Sequence, residues 1–158
     1  MKEPFIDTSG SAFWEDAVKF YNRPGAKEAL LDLQDRLGCD VMASLWALSA
    51  AKGGRALSSE DVTEFFESTK KARMEVSRLR RLRHEAKSSS NEGYERLKKE
   101  ELAAEQAVAS LAPPVEKVGI AEGFNEGLCV RNLMVTFEQC APDAKLAEAI
   151  NLTKTILG

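Results

Sequence analysis

Apolar side chains recur every three or four positions along most of this chain, which is the spacing of one face of an α-helix. The most apolar stretch covers residues 30–51 and contains a helix end, a short break and a new helix start. Gly38 follows the first apolar run, and glycine is the usual residue where the backbone turns left-handed after a helix. Asp40 can then accept the first free N–H groups of a helix over residues 41–52. Because that helix is apolar on more than one face, we predict that it is buried on most sides.

The remaining helices follow from the same spacing and from the turn residues between them. Their predicted ranges are 11–22, 24–37, 59–87, 92–111, 124–140 and a last helix that starts at Pro142. We therefore predict an all-α fold, a single-domain helical bundle of about six or seven helices. Residues 1–10 are expected to form a flexible arm before a single helical domain over residues 11–158.

Two of these helices are joined by a short polar turn and carry opposite charges. We expect them to form a long antiparallel hairpin over residues 59–112, followed by C-terminal helices over residues 124–158. Residues 70–87 hold eight basic and two acidic side chains, so this segment carries a charge of +6. Because the net charge of the chain is −3, the rest of the chain carries −9. Glutamates of the next helix can face the arginines across the hairpin. Internal pairing is thus the alternative to a basic binding surface.

Composition narrows the class of protein. The chain of 158 residues is long enough for one domain with a real core, and its net charge of −3 gives no general attraction to nucleic acid or membranes. No apolar run approaches the length of a membrane span, and the N-terminus has no apolar signal core. Three cysteines without a CxxC pair, in a chain without an export signal, indicate reduced thiols. We therefore expect a cytoplasmic protein.

Motifs for catalysis and for cofactors are missing from the sequence. The chain has a single histidine, His84, and lacks a Gly-rich phosphate loop, a GxSxG elbow, an HExxH motif and a Cys–His pair. We therefore expect no cofactor and no metal site. The sequence leaves open whether the protein is an enzyme and favours a non-enzymatic role.

Two groups of side chains are candidates for a binding site. The first is the basic face of the long fourth helix, and its members are Arg73, Arg78, Arg80, Arg81 and Arg83. The second is a polar pocket beside the buried helix, and its members are Trp14, Tyr21, Gln34, Asp35 and Asp40. The structural alternatives are a helix cap for Asp40 and a place in the core for the two aromatic rings.

These candidates favour a non-enzymatic protein-binding or regulatory module that uses the basic helix face, with an acidic helix or groove of another protein as its partner. One alternative is a protein or enzyme that binds a small anionic ligand at a polar site around Gln34, Asp35 and Asp40. Another is nucleic-acid binding through the arginine-rich helix, whose phosphate contacts would weaken with salt. Self-association through the hairpin is a further option, and no membrane partner is expected.

A pattern of short motifs runs through the first two thirds of the chain. Its members are Phe13-Trp14, Tyr21 before a short break, Leu33-Gln34-Asp35, Gly38, Asp40-Val41, the arginine-rich stretch and an E-L-x-A-E helix. The pattern resembles the DUF2390 family of small bacterial proteins over roughly residues 11–112, with a weaker echo at residues 131–137. The chain departs from that family at Met42, where asparagine is frequent. The resemblance implies a bacterial, cytosolic, helical protein, and it supplies no catalytic residues because the family's function is uncharacterised.

Overall fold

The computed structural model places residues 8–87, 91–114 and 125–158, with side chains from Phe13 onward in the first range and from Gly93 onward in the second. The described residues form seven α-helices and no strand. The helices are α1 Thr8–Tyr21, α2 Ala26–Leu37, α3 Val41–Lys52, α4 Ser59–Ala86, α5 Asn91–Leu111, α6 Glu126–Cys140 and α7 Leu146–Leu157. The predicted all-α bundle of six or seven helices is confirmed.

Several helix boundaries differ from the predicted ones. α1 begins at Thr8, so the last three residues of the predicted arm are helical, whereas residues 1–7, the turn at 88–90 and the loop at 115–124 lie outside the described residues. α2 begins at Ala26 rather than at Pro24, because Gly25 has a left-handed backbone with φ of 81°.

The last helix starts four residues later than predicted. Pro142 lies in a turn in which the N–H of Ala144 donates to the carbonyl of Ala141 at 2.9 Å. α7 then begins after Lys145, whose N–H donates to the Glu148 carboxylate at 2.6 Å. The prediction of a helix from Pro142 was wrong because this cap, formed by a glutamate three residues into the helix, sets the start.

The third helix is the centre of the core. Every α3 residue from Met42 to Ala51 is buried, so the predicted burial on most sides is confirmed. α1 and α6 pack against it, and the hairpin closes another side. The Trp46 ring stacks on Phe65 with 4.7 Å between ring centroids, and its Nε1–H donates to the carbonyl of Pro113 at 3.1 Å.

The break before α3 is built as the sequence indicates. Gly38 ends α2 with φ of 81°, and its N–H bonds back to the carbonyl of Gln34. The Asp40 carboxylate accepts the N–H of Ala43 at 2.8 Å, which caps the new helix. This turn fixes the direction in which α3 enters the core.

A buried asparagine from α6 holds the loop between α3 and α4. Asn132 is fully buried and accepts the N–H of Leu57 at 3.0 Å. Its amide donates to the carbonyls of Ala47 and Arg55 at 3.2 and 2.9 Å. The loop therefore has its polar groups paired inside the protein, and the start of α4 is tied to α3 and α6.

The predicted hairpin is formed by α4 and α5, which run antiparallel along each other. Asp40, just before α3, lies beside Arg73, so α3 begins at the level of that arginine. From Arg73 to Ala86 the helix α4 continues for about 20 Å. The part of the hairpin beyond Arg73, which we call the distal hairpin, therefore reaches past the start of α3.

Replacing the buried asparagine should destabilise the fold. Asn132→Leu keeps a similar volume but leaves the Leu57 N–H and the Arg55 carbonyl without partners, so we expect a loss of about 3 kcal/mol in the free energy of unfolding. Urea denaturation measures this loss. Asn151→Leu on the exposed side of α7 is the matched control and should change stability by less than about 0.5 kcal/mol. Equal effects of the two substitutions would contradict the clamp role of Asn132.

Candidate functional site

A groove of about 770 Å³ lies between the distal hairpin and the first three helices, and we call it the hairpin groove. Four of the five predicted pocket residues line it, namely Trp14, Tyr21, Gln34 and Asp35. Arg80 and Arg83 from the predicted basic face line it as well. Members of the two candidate groups thus line the same groove.

Asp40 does not join this group, although the sequence grouped it with the pocket. Its carboxylate turns toward the N–H of Ala43 to cap α3, and its other oxygen lies 3.7 Å from the Arg73 guanidinium. It lines a separate cleft of about 560 Å³ that Arg78 and Arg81 also line. Because capping fixes the Asp40 carboxylate, the sequence interpretation of Asp40 as a cap holds and its place in the pocket is corrected.

The floor of the hairpin groove is apolar and in part open to solvent. α1 contributes Trp14 and Val18, and α3 contributes Met42 and Leu45. From the other side, α5 contributes Leu102. Val18 and Leu102 are 40% and 49% exposed, which is unusual for large apolar side chains that line the same depression.

An ion network forms the hairpin wall of the groove. Glu101 of α5 accepts Arg80 Nε at 3.1 Å and Arg83 Nε at 2.5 Å. Glu105, one turn further along α5, lies 3.5 Å from Arg80 Nη2. The Arg83 guanidinium also lies over the Tyr94 ring, 5.9 Å from its centroid. Two arginines and two glutamates cancel in charge, so of the two alternatives that the sequence left open, internal pairing across the hairpin holds at these positions.

The two glutamates of this network are held differently. Burial alone raises the pKa of Glu101, but the hydrogen bonds from Arg83 and Arg80 outweigh it and hold that pKa below the ordinary value. The pKa of Glu105 is raised by burial, which the nearby Arg80 opposes and the charge of Glu101 reinforces. Burial also raises the pKa of the Tyr21 phenol, and the Glu105 charge adds to this. Glu101 is therefore well satisfied as a carboxylate, and Glu105 is not.

The remaining arginines of the predicted face also divide into paired and unpaired ones. Arg73 bonds within α4 to the Thr69 hydroxyl and the Phe66 carbonyl, each at 2.8 Å. Arg78 makes two bonds to Glu75, at 2.8 and 2.7 Å, on the exposed side of α4. Arg81 is exposed and makes no ion pair with the described residues.

Unpaired positive charge lies instead on three lysines that the sequence analysis did not single out. Lys27 of α2, Lys87 at the end of α4 and Lys98 of α5 all line the hairpin groove and are exposed. Within the described part of the chain, none of them forms a salt bridge. Lys98 lies 5.5 Å from the centroid of the Tyr94 ring, and this spacing of four residues on one helix is the only sequence signal that pointed to it.

The cysteines lie away from this chemistry. Burial raises the pKa of Cys39 and of Cys129 to about 12, so both thiols stay protonated at neutral pH and are poor nucleophiles. Among the described residues, no three side chains of the metal-binding types come together. The described helices are also too short or too polar to cross a membrane.

The fold and the groove together define a small all-α protein with a mixed apolar and basic groove beside a helix hairpin. The sequence model of the family described as a protein of unknown function (DUF2390) matches residues 12–111, which is more than half of the chain. The chain therefore belongs to the DUF2390 family, and the predicted resemblance is confirmed. No curated protein and no solved structure matches the chain significantly.

The ion network should support the hairpin more than an exposed pair does. Glu101→Gln leaves two half-buried arginines with a weaker acceptor, so we expect a loss of about 2 to 3 kcal/mol in the free energy of unfolding. Glu75→Gln, which alters an exposed pair with the same number of bonds, is the control and should change the free energy of unfolding far less. A denaturant series on both variants decides the question, and equal losses would contradict a special role for Glu101.

The contribution of Glu101 should also depend on pH in a definite direction. Because its folded pKa is lowered, its stabilisation is fully present above the ordinary glutamate pKa and is lost as the pH falls through the lowered folded value. The stability difference between the wild type and Glu101→Gln should therefore narrow on acidification. Because the Glu101 charge contributes to the raised pKa of Glu105, both proteins are compared in a Glu105→Gln background, in which only position 101 differs. A difference that widens in acid would contradict the lowered pKa.

Proposed function

We propose that the protein is a non-enzymatic binding module whose hairpin groove receives an acidic amphipathic helix of a partner protein. The observation that carries this proposal is the combination, in one groove, of an exposed apolar floor with three unpaired lysines from three different elements. An amphipathic helix binds such a groove through its apolar face, while charged residues beside that face contact the rim.

The charge of the groove selects an acidic partner. Its lining holds five lysines and arginines, namely Lys27, Arg80, Arg83, Lys87 and Lys98, and three carboxylates, namely Asp35, Glu101 and Glu105. The arginines and two of the carboxylates neutralise one another, so the surplus rests on the lysines. Rim lysines of this kind speed association with an acidic partner and reject a basic one.

The apolar floor supplies the reason for a protein segment rather than an isolated anion. Val18 from α1 and Leu102 from α5 are half-exposed, and a partner's leucine or phenylalanine would remove both from water. Trp14 and Tyr21 add aromatic surface of the kind that anchors protein interfaces. This supports an interface whose centre is apolar and whose edge is basic.

The other hypotheses have weaker support. Binding of nucleic acid was predicted through five arginines, and four of them now have acceptors within the protein, which leaves fewer donors for phosphate. A small anionic ligand is favoured by one observation, that Gln34, Asp35 and Arg80 line the same cavity. The bacterial and cytoplasmic setting and self-association through the hairpin remain predictions.

Selection from two helical peptide libraries tests the proposal. Both libraries present leucines at helical spacing, and one has acidic and the other basic residues beside them, on peptides of about 18 residues. We expect only the acidic library to be enriched on the wild-type protein. Enrichment of the basic library, or of neither, would contradict an acidic helical partner, and tight binding of a small carboxylate alone would favour the ligand hypothesis.

Charge-reversal variants then place the peptide in the groove. Changing Lys27, Lys87 and Lys98 together to glutamate should weaken binding of an enriched peptide by about tenfold or more, because three rim contacts become repulsive. The same change at Lys19, Lys99 and Lys154, which are exposed outside the groove, alters the net charge equally and should have a much smaller effect. Fluorescence anisotropy with a labelled peptide measures both. On the apolar side, Leu102→Gln should weaken binding and Leu111→Gln, equally exposed on the same helix, should not.

A further inference from the structure

In the hairpin groove, Arg80 and Arg83 carry more N–H donors than the neighbouring glutamates accept. Each guanidinium carries five N–H groups. Both Nε atoms donate to Glu101, and one terminal nitrogen of Arg80 reaches Glu105 at 3.5 Å. Both arginines line the groove with about a fifth of each side chain exposed. The Tyr94 side chain is a further partner of Arg83. Among the described residues the acceptors are still fewer than the N–H groups, so terminal N–H groups remain at the groove surface, and these bind a carboxylate in a bidentate manner.

Glu105 occupies the place where an incoming carboxylate would bind. It lies one helical turn beyond Glu101 and is the more exposed of the two side chains, at 26% against 10%. Its single contact with Arg80 is at the long limit of a hydrogen bond, whereas Glu101 makes two shorter ones. Glu101 is thus a fixed part of the wall, and Glu105 is a weakly held anion at its edge.

We infer that Arg80 and Arg83 form a carboxylate-binding site of the groove, and that Glu105 is a built-in competitor which an acidic side chain of the partner displaces from Arg80. This inference rests on the proposed function, because it names the contact by which an acidic partner is recognised. The incoming carboxylate takes the terminal N–H groups of both arginines. Glu105 then turns toward solvent, which is open to it because part of its side chain is already exposed.

The groups that face Glu105 decide how the site responds to pH. They are Tyr21 from α1, Arg80 and Arg83 from α4, and Glu101 from α5. The raised pKa of Glu105 means that it takes up a proton before an ordinary glutamate does, and a protonated Glu105 no longer competes for Arg80. Binding of a carboxylate to the groove should therefore strengthen as the pH falls. His84 also lines the groove, so its effect must be removed.

The test uses 1-naphthoate, which combines an apolar ring with one carboxylate and needs no partner protein. Titrations followed by NMR at the arginine Nε–H signals report binding at the site. Glu105→Gln removes the competitor, and we expect it to tighten naphthoate binding by about threefold or more. Glu95→Gln, an exposed glutamate outside the groove on the same helix, makes the same change in net charge and should leave the affinity near the wild-type value. Arg80→Lys keeps the charge but removes the planar donor pair, and it should weaken binding.

The pH arm uses a His84→Gln background, with titrations at about pH 8 and about pH 5, where naphthoate stays ionised and a glutamate of raised pKa gains protons. Binding should strengthen in acid when Glu105 is present and should change little in the Glu105→Gln variant. Equal affinities of the wild type and Glu105→Gln, equal tightening by Glu95→Gln, or no shift of the arginine signals in any variant would each overturn the inference. The library selection does not depend on Glu105. An acidic helix that binds the wild type and the Glu105→Gln variant equally well would therefore support the proposed function and reject only the role of Glu105 as a competitor.

Discussion

A helix that is apolar on every side has to be covered on every side, and the rest of the structure follows from this demand of α3. Every residue from Met42 to Ala51 is buried, and exposing this stretch to water would lose the stabilisation that comes from its buried apolar surface. α1 and α6 cover two sides, and the hairpin covers another through the stacking of Trp46 on Phe65. The alanines and serines of α3 let these neighbours approach closely, so the cover is dense wherever α3 extends.

The hairpin groove lies where the hairpin extends beyond the start of α3. α3 has 12 residues and α4 has 28, so the hairpin is more than twice as long as the helix it packs around. Past the level of Asp40 the hairpin no longer has α3 to contact, and the ion network of Glu101 and its two arginines adds to the packing of Val76 and Leu79, which are still buried. The space between this overhang and α1–α2 is the groove. Its apolar floor is the uncovered end of the core, and its charged wall is the part of the hairpin that the core does not reach.

The sequence was informative wherever local chemistry decides the outcome. The turn at Gly38, the cap at Asp40 and the burial of α3 depend on neighbouring residues and were predicted correctly. The pairing of glutamates with arginines was one of two alternatives that the sequence left open, and the antiparallel hairpin forms it at Arg80 and Arg83. Four of the five pocket residues also line one groove, which α1 and α2 form together with the hairpin.

The sequence was uninformative wherever the outcome depends on which distant helix ends come together. Lys27, Lys87 and Lys98 lie on three different elements and share no motif, so only the packing of these elements reveals them as one rim. Likewise, five arginines within one basic run look equivalent in the sequence. Their roles separate only because a turn of 100° per residue directs Arg80 and Arg83 to α5 and Arg78 to solvent.

The buried amide of Asn132 bears on which part of this chain can fold on its own. The stretch that defines the family ends at residue 111, whereas Asn132 lies in α6, beyond that boundary. Without α6, the Leu57 N–H and the Arg55 carbonyl lose their partners, and the face of α3 that packs on α6 is left bare. Residues 12–111 therefore depend on a helix that lies beyond them, because the amide of Asn132 makes α6 part of the same folding unit as α3 and the start of α4.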